Sequence, residues 1–149
     1  MIHFKSRFSN EKIDLRGFIN EEEIVKSEIM VEDCYISEMK GSMICLNEDL
    51  KFLDSSIFNE CIFLGCTFIG NFKIENCHFS KILKFESCLF FGELEISTSY
   101  FQKDLAFYDN TFKSKVSLIK NSNVGSNSLL SNVNQPFEND FEVSPFIKN

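Results

Sequence analysis

Tryptophan is absent from the sequence, and proline and histidine each occur only twice among 149 residues. A collagen-like or low-complexity chain needs far more proline and glycine, and a disordered chain carries fewer apolar residues than the 44% found here. No stretch approaches the run of about 20 apolar residues that spans a membrane. The opening MIHFKSRFSN also lacks the unbroken apolar core of a signal peptide. These absences predict one folded domain, located in the cytoplasm and not bound to a membrane.

The spacing motifs of common catalytic and metal sites are missing as well. GxGxxG, GxxxxGK[ST], GxSxG and HExxH do not occur, so no phosphate loop, nucleophile elbow or zinc protease site is indicated. The six cysteines include no CxxC pair, whereas structural zinc usually needs ligands two to four residues apart. Cys77 precedes His78, but neighbours in a strand point to opposite sides, so we expect Cys77 in the core and His78 in solvent. The sequence predicts no catalytic residue, no metal ligand and no cofactor, and it predicts reduced, buried thiols.

The charge is unevenly distributed along the chain. Residues 1–60 carry 7 Lys and Arg against 13 Asp and Glu, while residues 61–149 carry 8 against 9, which together give the net charge of −7. Direct binding to nucleic acid requires Lys and Arg to neutralise phosphates, so this balance disfavours it. It favours instead a protein partner with a basic surface.

Phenylalanine is abundant, at 18 positions, and it marks a regular repeat. Large apolar residues recur at steps that alternate between five and six, at Phe63, Phe68, Ile74, Phe79, Phe85, Phe90, Ile96, Phe101, Phe107, Phe112 and Leu118. Every fourth member is 22 residues away and of the same kind, as in Phe63, Phe85 and Phe107. Neither a helix of period 3.6 nor a strand of period 2 keeps one face with these steps. The repeat therefore predicts coils of about 22 residues, each with four short strands, stacked along an axis.

A second inward position lies two residues before each marked residue, because alternate residues of an extended segment point the same way. It is occupied by Cys61, Cys66, Phe72, Cys77, Leu83, Cys88, Leu94, Ser99, Leu105, Asn110 and Val116. The recurrence of Cys and Ser indicates corners with room only for small side chains.

The units CIFLG, CTFIG, CHFSK, CLFFG, SYFQK and NTFKS have the form small-x-Phe-x-x and resemble the pentapeptide-repeat family. The alternate units, such as LKFESC, are one residue longer and carry a large residue where the family prefers a small one. The resemblance implies an all-β fold, a right-handed parallel β-helix with four sides and terminal caps. We expect the β-helix over residues 34–124, an N-terminal cap or degenerate first coil over 1–33, and a C-terminal cap or tail over 125–149.

Several proteins in the family act as DNA mimics on type II topoisomerases, so the resemblance implies a non-enzymatic inhibitor or protector. Its partner would be a nucleic-acid-handling protein with a basic groove. The candidate contacts form an acidic surface of Glu21, Glu22, Glu23, Glu32, Asp33, Glu38, Glu48, Asp49 and Asp54. These acids could equally serve only solubility.

Three apolar residues, Ile69, Leu89 and Phe91, are predicted to protrude from one side and are named the apolar patch. An exposed apolar group of this kind usually has a cover. Either Phe137 or Phe141 folds back over it, or it is an interface for a partner or a homodimer. The alternative function is accordingly a structural module that self-associates.

Overall fold

The computed structural model describes residues 1–8 and 10–123 and the backbone of the strands Leu129–Ser131, Glu138–Phe141 and Phe146–Lys148. The chain winds into an all-parallel β-solenoid of about 5 turns with about 22 residues per coil. The predicted all-β solenoid is confirmed.

Each coil passes through four faces, which we number in the order the chain follows. Face 1 contains Ile2–Lys5, Ile29–Glu32, Leu50–Leu53, Phe72–Glu75, Leu94–Ser97, the first part of Val116–Asn123, and Glu138–Phe141. Face 2 contains Tyr35–Ile36, Ser56–Ile57, His78–Phe79, Tyr100–Phe101 and the end of Val116–Asn123. Face 3 contains Lys12–Asp14, Glu38–Ser42, Cys61–Leu64, Leu83–Glu86, Leu105–Tyr108, Leu129–Ser131 and Phe146–Lys148. Face 4 contains Ile24–Val25, Cys45–Leu46, Thr67–Phe68, Leu89–Phe90 and Thr111–Phe112.

The strand register aligns the predicted columns. Phe63 pairs with Phe85 and Phe85 with Phe107 on face 3, and the phenylalanines of face 4 align in the same way. All eleven second inward residues from Cys61 to Val116 are buried as well. The interior therefore consists of the two residues of each unit that the spacing identified.

The phenylalanine columns stack ring on ring along the solenoid axis. The Phe85 ring centroid lies 5.3 Å from that of Phe63 and 5.1 Å from that of Phe107, with interplanar angles of 12° and 10°. Burying each such side chain contributes roughly 1.5–3 kcal/mol, and a favourable ring pair adds about 0.5–1.5 kcal/mol. Because a coil has too little interior of its own, this contact between coils stabilises the fold.

The corners depend on hydrogen bonds from small buried side chains to the backbone of the neighbouring coil. Ser99 Oγ accepts from Cys77 N at 3.1 Å, Asn121 Oδ1 accepts from Ser99 N at 2.9 Å, and Asn110 Oδ1 accepts from Cys88 N at 2.9 Å. A buried N–H without a partner costs about 1–3 kcal/mol. The small residues at these corners thus supply acceptors in addition to fitting a narrow space.

The first coil is longer than the others. Ile2 pairs with Ile29 and Lys12 with Glu38, and the extra length includes the 3-10 helix Leu15–Phe18, where Asp14 accepts a hydrogen bond from Arg16 N. At the other end the last three strands pair in parallel on faces 1 and 3. Phe137, one of the two predicted covers of the apolar patch, lies outside the described residues, as does the side chain of Phe141. Within the described chain, no helix is long and apolar enough to cross a membrane.

Candidate protein-binding surface

The nine predicted acidic residues fall into two groups around the solenoid. Glu21, Glu22 and Glu23 lead into face 4, and Glu48 and Asp49 lie at the corner where face 4 ends. The other four lie elsewhere: Glu32, Asp33 and Asp54 at the corner between faces 1 and 2, and Glu38 on face 3. The fold thus brings five of the nine around face 4 and separates the rest from them.

Basic residues of the first coil lie beside two of the four members that are remote from face 4, whereas Asp33 and Asp54 accept hydrogen bonds from Ser6 and Asn76. Glu32 Oε2 lies 2.9 Å from His3 Nε2 and 4.0 Å from Lys5 Nζ. Glu38 Oε2 lies 3.8 Å from Lys12 Nζ. These contacts reduce the negative field on faces 1 and 3.

Of the five acidic residues around face 4, only Glu23 and Asp49 have a basic group within 4.0 Å in the described part of the chain. Glu23 Oε1 lies 3.2 Å from Arg16 Nη2. Glu21, Glu22 and Glu48 form no ion pair within the described chain, and all three are exposed. They therefore place negative charge at both edges of face 4, where Lys26 and Lys113 also lie at the edge that leads to face 1.

Asp49 belongs to a hydrogen-bond ladder at the corner between faces 4 and 1. Its Oδ1 accepts from Asn71 N at 2.8 Å, and Asn71 Oδ1 accepts from Glu93 N at 2.9 Å. Lys51 Nζ lies 2.8 Å from Glu28 Oε1 and 4.0 Å from Asp49 Oδ2, and the hydrogen bond to Glu28 raises the pKa of Lys51. These hydrogen bonds hold Asp49 in place, and the cluster of Glu28, Asp49 and Lys51 keeps a net negative charge.

The apolar patch lies on face 4 and at the same corner. Ile69 and Phe91 occupy equivalent positions on successive coils and are 44% and 45% exposed. Leu89 is half-buried between Thr67 and Thr111 on the outer side of face 4. Ile69 and Phe91 are thus exposed on neighbouring coils, and Leu89 precedes Phe91 by two residues on the same outer side.

Two glycines shape the corner that presents this group. A Cβ on Gly70 would lie 2.5 Å from the carbonyl carbon of Glu48, and one on Gly92 would lie 2.1 Å from the carbonyl oxygen of Gly70. Only glycine permits coils to approach this closely. Each glycine directly follows Ile69 or Phe91, so the tight corner places those side chains at the edge of face 4.

Among the residues that the structure describes, no charged side chain lies on the outer side of the face-4 strands. The outward residues of this face are Ile24, Cys45, Thr67, Leu89 and Thr111. A shallow depression of about 190 Å³ at its acidic end is lined in part by Glu22, Glu23 and Met43. The acidic groups, this uncharged face and the apolar patch are contiguous, and together we call them the face-4 surface.

Burial in the core favours the protonated form of three of the thiols, those of Cys61, Cys77 and Cys88. All six cysteines are free, and only Cys45 is not buried. Burial raises the pKa of Cys77 to about 12 and raises that of Cys61 well above its ordinary value. The interaction between the Cys66 and Cys88 thiols, together with burial, raises the pKa of Cys88, and the same interaction lowers that of Cys66. A deprotonated nucleophile is therefore not favoured at any of these three buried sulfurs.

His78 points outward and Cys77 inward, as predicted, but His78 is not fully exposed to solvent. Its ring is half-buried, packs at 4.9 Å against the edge of Tyr100 in the next coil, and has an inaccessible Nε2 without a hydrogen-bond partner. His78 belongs to an outward aromatic row on face 2, in which Tyr35 stacks on Phe58 at 4.9 Å. The signal that could have revealed this row is an aromatic residue directly before an inward one, as in Tyr35-Ile36 and Tyr100-Phe101.

Within the described residues, no three side chains of His, Cys, Asp or Glu are arranged to hold a metal ion. Comparison with known proteins gives no match: no family model, no curated protein and no solved structure matches the chain.

Proposed function

We propose that the chain is a non-enzymatic cytoplasmic binding protein of the pentapeptide-repeat type. Its face-4 surface engages a protein with a basic nucleic-acid-binding groove and blocks that groove by mimicking nucleic acid. The partner is a nucleic-acid-handling enzyme, and the role is that of an inhibitor or protector.

One observation carries the proposal: five acidic residues and the apolar patch lie on or at the edges of face 4, whose outward strand residues in the described part of the chain carry no charge. Carboxylates arranged around a narrow face attract a basic groove over a distance and accelerate the encounter. The apolar side chains of Ile69 and Phe91 then lose exposed area on docking, which stabilises the complex.

The length of the solenoid limits the form of the mimicry. The seven strands stacked on face 3, at a spacing of roughly 4.8 Å, give an axis of about 29 Å, whereas a protein dimer contacts duplex half-sites about 34 Å apart. A single chain therefore fills only part of a duplex-binding groove. Two chains end to end are needed to imitate a longer duplex.

The test uses DNA supercoiling by a purified type II topoisomerase, with the full chain as the added inhibitor. The wild-type chain should inhibit, and the triple substitution of Glu21, Glu22 and Glu23 by Lys should weaken inhibition most strongly at low salt, where charge attraction is least screened. The matched control is Glu95→Gln on face 1, which should inhibit like the wild type. Equal inhibition by the triple variant at low salt would contradict the proposal.

A second candidate function is self-association through the apolar patch, favoured by the 44% and 45% exposure of Ile69 and Phe91 on adjacent coils. Light scattering over a range of concentrations separates the two. If the patch joins two chains, the wild type is a dimer and Phe91→Glu is a monomer. A wild type that remains monomeric at every concentration rules out this role.

A further inference from the structure

Face 3 carries a depression that is separate from the face-4 surface. It lies between the strands Glu38–Ser42 and Cys61–Leu64 and has a volume of about 280 Å³. Pockets that bind whole small molecules measure about 300–1,000 Å³. This one is just below that range, so its size suits a single long side chain.

The floor of the depression is apolar and uncovered. Ile62 and Leu64 both point outward there, and Leu64 is 41% exposed. The register places Lys40 beside Ile62 and Ser42 beside Leu64. Lys40 Nζ lies 3.8 Å from Asp14 Oδ2 in the preceding coil, so its side chain is directed away from Ile62. Ser42 is too short to cover Leu64. On the other side the register places Lys84 beside Ile62 and Glu86 beside Leu64, and these two pair with each other at 2.9 Å. The apolar floor therefore stays open at Leu64.

Two carboxylates stand at one end of this floor. Because Met39 pairs with Cys61, Glu38 lies opposite Glu60 on the adjacent strand, at a strand spacing of about 4.8 Å. Glu60 is exposed and forms no ion pair within the part of the chain that the structure describes. Glu38 has only an exposed lysine, Lys12, at 3.8 Å. Like charges on neighbouring strands repel, so a cation placed between them is stabilised.

We propose that this face-3 pocket binds an arginine side chain of a protein partner. The planar guanidinium group presents paired N–H donors that can bridge two carboxylates, here Glu38 and Glu60. The three methylene groups of the arginine side chain are apolar and can pack against Ile62 and Leu64. A lysine offers a compact, strongly hydrated charge and should bind less well. The pocket does not depend on the face-4 surface, with which it shares no residue.

The test is an NMR titration of the full chain, labelled with ¹⁵N, with the capped tripeptide Gly-Arg-Gly. Amide shifts should concentrate at Ser42, Ile62 and Leu64. The capped tripeptide Gly-citrulline-Gly has nearly the same shape without the charge, and it should bind at least about fivefold more weakly because the charged hydrogen bonds are lost. The lysine tripeptide should lie between the two.

Two variants separate the contribution of the carboxylates to binding from that of the apolar floor. Glu60→Gln should weaken binding of the arginine peptide about fivefold, and Leu64→Ser should weaken the arginine and citrulline peptides alike. Glu95→Gln on face 1 removes one negative charge at a remote outward site and should bind as the wild type does. Equal binding of the arginine and citrulline peptides, shifts located elsewhere, or unchanged affinity in Glu60→Gln would overturn the proposal.

Discussion

Substitution of Phe85 by alanine should test whether stacking between coils holds the solenoid together. Phe85 is fully buried in the middle coil, between Phe63 and Phe107. The rings of Phe72 and Phe90 pack edge to face with it, at centroid distances of 5.7 Å and 5.6 Å. Burial of a phenylalanine and the cavity left by its loss together amount to about 3–5 kcal/mol. Two stacked neighbours lose their partner at once, so we expect the upper end of that range.

The measurement is urea-induced unfolding followed by circular dichroism, with the midpoint and the slope recorded for each variant. Phe91→Ala is the matched control, because the same residue is removed from an exposed site six positions along the chain. A surface substitution of this kind should change the free energy of unfolding by no more than about 0.5 kcal/mol. A lower slope in Phe85→Ala would show that the coils on its two sides unfold separately, as a stack of repeats permits.

The stacking explanation would be refuted if Phe85→Ala lost less than about 1 kcal/mol, or lost no more than Phe91→Ala. Cavity formation in a packed core costs more than this wherever the neighbouring rings cannot close the gap. Here those rings are fixed by their own strands at the spacing of the sheet, which limits how far they can move.

Two further perturbations test the corners and the buried thiols. Gly92→Ala should destabilise the fold by about 1–3 kcal/mol, because the new Cβ would lie 2.1 Å from a backbone oxygen. Gly17→Ala is the control and should be near neutral, because no atom lies within 4 Å of its new Cβ. Equal urea midpoints for the two variants would contradict this prediction. For Cys77 the pKa is raised from 9.0 to about 12 in the folded chain, so the thiol's contribution to stability is constant below pH 9 and is lost as the pH rises from 9 to 12. Stability should fall by up to about 1.4 kcal/mol per pH unit in that window relative to Cys77→Ser, and parallel pH curves for the two proteins would exclude the effect.

The coil and its interior could be predicted from the sequence because a solenoid converts distance along the chain into contact in space. Residues 22 apart, such as Phe63 and Phe85, must share an environment if each coil repeats the last. The same rule selects similar residues at those positions. The period was therefore visible without any knowledge of individual contacts.

The distribution of the acidic residues could not be predicted in the same way. A stretch from Glu21 to Asp54 covers more than one coil, so winding spreads its side chains around the circumference. The neighbours of Glu32 and Glu38 come from the first coil, whose longer connection departs from the repeat. The position of His78 likewise depends on the ring of Tyr100 one coil away, which strand alternation alone does not reveal.

The outward residues show where the fold leaves sequence free for recognition. On faces 1 and 3 the exposed side chains include ion pairs within one strand, such as Lys73 with Glu75 at 3.6 Å and Lys84 with Glu86 at 2.9 Å. Such pairs add little to stability, but they keep these faces hydrated and of mixed charge. In the described part of the chain, face 4 has none of them on its outer side, and the apolar patch is not part of the core. These outward side chains are the ones that the proposed partner would cover.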